Sequence, residues 1–460
     1  MSPCETDQEE FMLKRWAVIS IVAVAFLMGY LAVNRQPSVQ GQAMPASAAA
    51  VPSDIGNMDL TGPYEPVANW PKDLRTLPGN ERWTWGSGEG IFAESPNRVY
   101  ILQRGSLPVM PTGGGRGQPG PFAAVNEQIG RIFPGGTYPV GGLSRNATGA
   151  SPPGTLDTNA PCGGANQPKC IAANYDNDGS GKNGVDFMWQ DCLVVADANG
   201  NIIERWKQWD ETFRRPHSVF ISPYDATKAV WVVDDYRHAI FKFTNDGKTL
   251  LQTIGTPNEH ASDDKHFYRP TFMAWQPDGS FYVADGYANT RVVKFDKDGK
   301  YLKAWGEPGT PAQGQVETRP NYFNNVHGVS IDPQTRQVYV NDRGNRRIQI
   351  FDENGTFLRQ WSLAQPVNIH FVHIGTDRGI TVFNNSTQHL AKFDLNGHLI
   401  YQWGGLGNYP GALWGAHGIS VDQEGNLYLA SVSIAYPQKF RPRPGANPAF
   451  LVGKPVKAAW

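Results

Sequence analysis

The stretch VHGVSIDPQTRQVYVNDRGNRRIQIFDENGTFLRQW, residues 326–361, decides the fold. It reads as an apolar strand, an Asp-containing turn, a strand ending at Asp342, a strand ending in Phe351-Asp352, a Gly hairpin and a last strand. Short apolar runs bounded by Gly, Pro, Asn and Asp are the pattern of β-strands joined by tight turns. Residues 270–306 match it almost turn for turn, and 216–255 and 366–404 follow the same plan. The dipeptides Asn199-Gly200, Asp246-Gly247, Asp298-Gly299, Asn354-Gly355 and Asn396-Gly397 recur at spacings of 47, 52, 56 and 42, the period of propeller blades. They predict two-residue turns with φ > 0. A further unit begins at Ala416 and lacks a hairpin and final strand; the ending Trp83-Thr84-Trp85-Gly86 matches Ala304-Trp305-Gly306 and Gln402-Trp403-Gly404. An N-terminal strand at 81–86 is therefore expected to complete the last blade and remove the sheet edge. The prediction is an all-β, six-bladed β-propeller over 81–445, with blades starting near 90, 216, 270, 326, 366 and 416.

Composition agrees. Gly (50) and Pro (35) are abundant in the 460 residues, and aromatics at 12% exclude a disordered chain. A net charge of −1 argues against nucleic acid as a partner. Residues 104–191 interrupt the first blade with 88 Gly- and Pro-rich residues, the length of a lid or binding surface. Within them Asn174–Asp186 resembles a calcium loop whose last acidic ligand falls one position late. A solvated turn fits it equally.

Lys14 and Arg15 precede an apolar run of 18 residues, Trp16–Val33. At about 27 Å it is long enough for a bilayer core and longer than the usual cleaved signal. Residues 1–34 are thus expected to be a cytoplasmic tail and membrane-anchor helix, 35–80 a linker, and the propeller periplasmic or extracellular. Cleavage near Ala48 would instead release it. Cys4 lies on the cytoplasmic side; Cys162, Cys170 and Cys192 share one region, allowing one disulfide without saying which thiol is free.

His217, His327 and His417 occupy one repeat position at the start of a first strand, in alternate blades. The third and fifth blades are read with Thr271 and Asn368 there, and the first with a residue near Gly90. First strands line the channel, so three imidazoles about 120° apart would form a metal site with open positions. Zn²⁺ suits them best; Fe²⁺, Mn²⁺ or Co²⁺ also fit. Small Ser218, Gly328 and Gly418 follow the histidines. Second strands return to the same mouth, where Arg104 and Arg343 share a position across the ring and Tyr287 lies one residue further on. A metal, two guanidiniums and a phenol suit a small anion, best a carboxylate. Asp234, Asp285 and Asp342 form a column read as turn caps.

The segments 264–270 (DKHFYRP), 284–295 (ADGYANTRVVKF), 323–331 (FNNVHGVSI), 341–351 (NDRGNRRIQIF) and 416–421 (AHGISV) resemble the peptidyl-α-hydroxyglycine α-amidating lyases, propellers of the NHL-repeat type. The resemblance covers roughly residues 200–435. It implies that His217, His327 and His417 bind catalytic zinc, that Tyr287 is the general base, and that Arg104 and Arg343 contact substrate. It also implies a structural Ca²⁺ in the channel and a reaction that splits a peptidyl-α-hydroxyglycine into an amide and glyoxylate. Gly418 stands where the family has Asp, and Ala288 where it has Cys. With no length left for a hydroxylating half, the substrate is expected from elsewhere. Competing readings are a non-catalytic NHL-type interaction propeller and a hydrolase of gluconolactonase type; the latter calls for carboxylate-rich axial ligands.

Overall fold

The computed structural model describes residues 59–108, 187–309, 315, 317–363, 366–407, 409–434 and 436–460. The expected anchor, the calcium-like loop, Cys4, Cys162 and Cys170 lie outside them. Among the described residues no helix is long and apolar enough to cross a membrane.

Six four-stranded antiparallel sheets follow one another along the chain. Their first strands are Trp83–Ser95, Pro216–Ile221, Pro270–Trp275, Val326–Ile331, Ile369–Ile374 and Ala416–Val421. Alternate side chains of each sheet pack against the neighbouring blades, as where Trp231 and Val233 of blade 2 join Met273, Phe281 and Val283 of blade 3. Both sheet faces are covered, so the inner strands are apolar nearly throughout.

The ring closes through an N-terminal strand, but not the expected one. Tyr64–Pro66 pairs with Gln438–Pro442 as the outer strand of blade 6. Trp83–Gly86 instead runs without a turn into Ser87–Ser95, and the 13-residue strand pairs over its length with Arg98–Pro108. Blade 1 thus extends past Arg104, and Ser106 still bridges Met188. The insertion proper lies within the undescribed 109–186.

The hairpins differ too. Only the glycine has φ > 0, between 67° and 87°, at Gly200, Gly247, Gly299, Gly355 and Gly397. The ladder slips one residue beside each. This is a type I turn followed by a glycine bulge. Asp352 organises one, accepting the N–H groups of Asn354 and Thr356 at 2.8 Å. Gly355 also lies against the preceding blade: a Cβ there would be 2.6 Å from the Trp305 ring. Gly62 makes the same close approach to Trp403 of blade 5, so the N-terminal segment takes a hairpin's place in blade 6.

Candidate metal and anion site

The first strands of blades 2 to 6 bulge at their start, and the long first strand of blade 1 bulges between Gly88 and Gly90. A bulge re-aims a side chain, and here the re-aimed residue faces the axis. The ring contacts prove it, because His217, His327 and His417 come from non-adjacent blades. Their centroids are 4.6 Å (His217–His417) and 5.2 Å (His217–His327 and His327–His417) apart. The full set, blade by blade, is Glu89, His217, Thr271, His327, His370 and His417. One member, in blade 5, corrects the sequence reading, and one, in blade 1, makes the expected position near Gly90 specific. Blade 5 contributes His370, not Asn368, because Ile369 and not Val367 aligns with Pro216 in the ladder. Blade 1 contributes Glu89.

Ligand atoms of His217, His327 and His417 all lie within 4.8 Å of one another. Their Nδ1 atoms face main-chain carbonyls of the next blade: Thr271 at 3.0 Å, His370 at 2.5 Å and Glu89 at 2.7 Å. A carbonyl only accepts, so each Nδ1 carries the proton and each Nε2 presents its lone pair to the axis. Burial holds all three pKa values down, His417 at about 3, with Arg104 adding to the effect at His217 and His417. Neutral imidazole is the form that binds metal. Phe272 packs with its centroid 5.3–5.5 Å from all three rings, edge-on to His217 and tilted to His327 and His417, an apolar neighbour to the three imidazoles. The donor set fits a divalent metal.

The Tyr287 hydroxyl reaches this point, 3.2 Å from His217 Nε2 and 2.9 Å from His327 Nε2. Arg343 stands over its ring at 5.3 Å. Arg104 is buried, with its Nε 3.1 Å from Glu89. Burial pushes the Glu89 carboxyl up, and Arg104 and Arg215 pull it back. Arg215, Arg269 and Asp235 complete the wall; Asp235 is fully buried between the two arginines. Four guanidiniums therefore face two carboxylates, an excess of positive charge that suits an anion.

The sequence reading placed the blade 1 residue only near Gly90, and it missed His370, Arg215, Arg269 and Asp235. A signal existed for two of them, since Arg215-Pro216 and Arg269-Pro270 open two first strands alike. The Asp column caps as expected: Asp234 accepts main-chain N–H groups from Arg214, Arg215, Tyr236 and Arg237. Of the small residues that follow the histidines, Gly418 is closely packed. A Cβ on Gly418 would lie 2.9 Å from Gly90 Cα and Ile91 N, so the glycine lets blades 6 and 1 meet. Cys192 is a free, buried thiol, and burial raises its pKa well above the usual range.

No protein-family model matches the chain. Among curated proteins, it is 28% identical over 290 residues to peptidyl-alpha-hydroxyglycine alpha-amidating lyase 1 of Drosophila melanogaster, covering 56% of this chain and 50% of that one. The chain is thus similar to the amidating lyases over about half of its length. It is also 34% identical over 170 residues to peptidyl-glycine alpha-amidating monooxygenase A of Xenopus laevis, 36% of this chain and 17% of that one. NHL repeat-containing protein 3 of Mus musculus matches at 33% over 164 residues, 34% of this chain and 44% of that one. The match thus spans half or less of each amidating relative. Among solved structures, a streptogramin B lyase aligns with a TM-score of 0.41 and 13% identity, covering 81% of this chain and 96% of that one. The propeller itself is read from the strand pairing of this chain.

Proposed function

We propose that the propeller is a metal-dependent lyase that cleaves the C–N bond of a peptidyl-α-hydroxyglycine, or a related carbinolamide, to an amide and glyoxylate. The observation that carries it is the set of three Nε2 lone pairs aimed at one point beneath the Tyr287 hydroxyl. His217, His327 and His417 would hold the ion, with Zn²⁺ the best match to three imidazoles. A bound divalent cation acidifies a hydroxyl that it ligates. Tyr287 takes the carbinol proton as general base. The O–H electrons become the glyoxylate C=O, the C–N pair moves onto nitrogen, and that nitrogen recovers the proton. Arg104 and Arg343 receive the substrate carboxylate and orient it. The apolar run after Lys14 and Arg15 supports an extracytoplasmic, anchored location.

Glyoxylate release from an N-acyl α-hydroxyglycine, with metal content measured on the same sample, tests this. Activity that is lost with a chelator and in His327→Ala is expected. Full activity in the metal-free protein would defeat the proposal.

A further inference from the structure

We infer that Arg269, locked by Asp235, positions Tyr287 over the three histidines. The inference rests on the role proposed for Tyr287. Arg269 holds that residue at both ends. Its carbonyl accepts the Tyr287 N–H at 3.3 Å, and its guanidinium stacks on the Tyr287 ring at 4.8 Å. The guanidinium carbon also lies 4.8 Å from the centre of the Tyr236 ring. Contact with two phenol rings restrains the guanidinium, whose planar group can lie against aromatic rings as a lysine ammonium does not.

Asp235 sets the remaining freedom. Its Oδ2 accepts from Arg269 Nε at 3.0 Å and Nη2 at 2.9 Å. Arg215 stands 3.5 Å away on the other oxygen. Asp235 is fully buried, and Arg215 and Arg269 nevertheless hold its carboxyl below the ordinary range. The pair is therefore charged at neutral pH.

The backbone gives an independent sign. Arg269 has φ = 63°, a left-handed conformation uncommon for a non-glycine residue. Asn325 and Gly415, just before the first strands of blades 4 and 6, share that conformation. Those residue types adopt it readily, whereas an arginine there carries strain, as Arg336, Arg346 and Arg378 also do between other strands. The Arg269 N–H donates to His238 Nδ1 at 3.2 Å, which helps to hold the turn. Local strain is thus kept where it aims a guanidinium at Tyr287.

The test uses the full chain with 3-fluorotyrosine at position 287, read by fluorine NMR, and glyoxylate release by the unlabelled variants. In Arg269→Gln the resonance should move toward that of free fluorotyrosine. In Arg269→Lys, which keeps the ion pair without the planar stack, it should lie between. Asp235→Asn should move it the same way. Metal content should stay at the wild-type value in all three. kcat should fall roughly 100-fold in Arg269→Gln, the effect of about 1 Å of misplacement, with KM within about twofold. An unmoved resonance in Arg269→Gln overturns the inference, as does a parallel loss of metal and folded protein. If the wild type releases no glyoxylate, the lyase reading fails, while the resonance still decides the positioning.

Discussion

His417 donates its Nδ1–H to the main-chain carbonyl of Glu89 at 2.7 Å, across the seam where the last blade meets the first. The contact that orients the third imidazole is thus also a contact that closes the ring. Deleting residues 59–66 removes the outer strand of blade 6 and loosens this seam. Metal affinity should fall roughly 10–100-fold, the usual effect of losing an outer partner of a ligand. Isothermal titration with Zn²⁺ measures it; unchanged affinity in the folded truncation would separate the seam from the site.

An aspartate at position 418 should not help this chain. Gly418→Asp drives a Cβ against Gly90 and Ile91 at 2.9 Å. Overpacking of this kind costs about 1–3 kcal/mol. Thermal melts should show a lowered Tm and metal titration a weaker site. A stabilised variant would contradict the tight seam.

Asp342 anchors blade 4, accepting from Asn324 N–H at 2.8 Å and Arg347 Nε at 2.7 Å, with both side chains buried. Asp342→Ala leaves the Arg347 charge inside and should cost about 3–5 kcal/mol. Asp342→Asn keeps the acceptor and should cost less. Urea unfolding ranks the two, and equal losses would argue against the ion pair.

Burial pushes the Asp210 carboxyl up to about 6. The folded state then binds this proton more tightly than the unfolded chain, whose carboxyl has the ordinary value near 4. Its contribution is complete below that value and is lost as pH rises to about 6. The loss is at most ~3 kcal/mol. Urea midpoints at pH 4.5, 5.5 and 7 should show a smaller decline in Asp210→Asn than in the wild type. Parallel declines would remove Asp210 as the cause.

Residues 454–460 cross the face opposite the histidines. Lys454 accepts from Thr376 N–H at 2.9 Å in blade 5, and its Nζ donates to Gln423 at 3.0 Å in blade 6. Ala459 N–H and Trp460 Nε1 then reach Pro223 and Ser222 in blade 2, at 2.7 Å and 3.1 Å. At about 1 kcal/mol per hydrogen bond, removing the segment should lower Tm by several degrees. Zn²⁺ stoichiometry should not change, because the strap lies at the other end of the first strands. Loss of metal on truncation would refute that separation.

The sequence alone determined the repeat, the number of blades, three histidines at one repeat position and the arginine pair Arg104 and Arg343. These are local properties: alternation, turn residues and spacing are written along the chain. Closure by an N-terminal strand was also legible, because a four-stranded unit lacked its last member. Which strand closes was not. Trp83–Gly86 and Tyr64–Pro66 compete for the edge of blade 6, and the choice falls to pairing with Gln438–Pro442 and packing near Trp403.

Only the tertiary structure put His370 rather than Asn368 on the axis, since a bulge shifts which residue faces inward without altering the composition. It alone supplied the carbonyl behind each imidazole and brought Asp235, Arg269 and Tyr287 together from two blades. Those contacts join residues tens to hundreds of positions apart. Closing the ring fixes them, and no local pattern in the sequence encodes that distance.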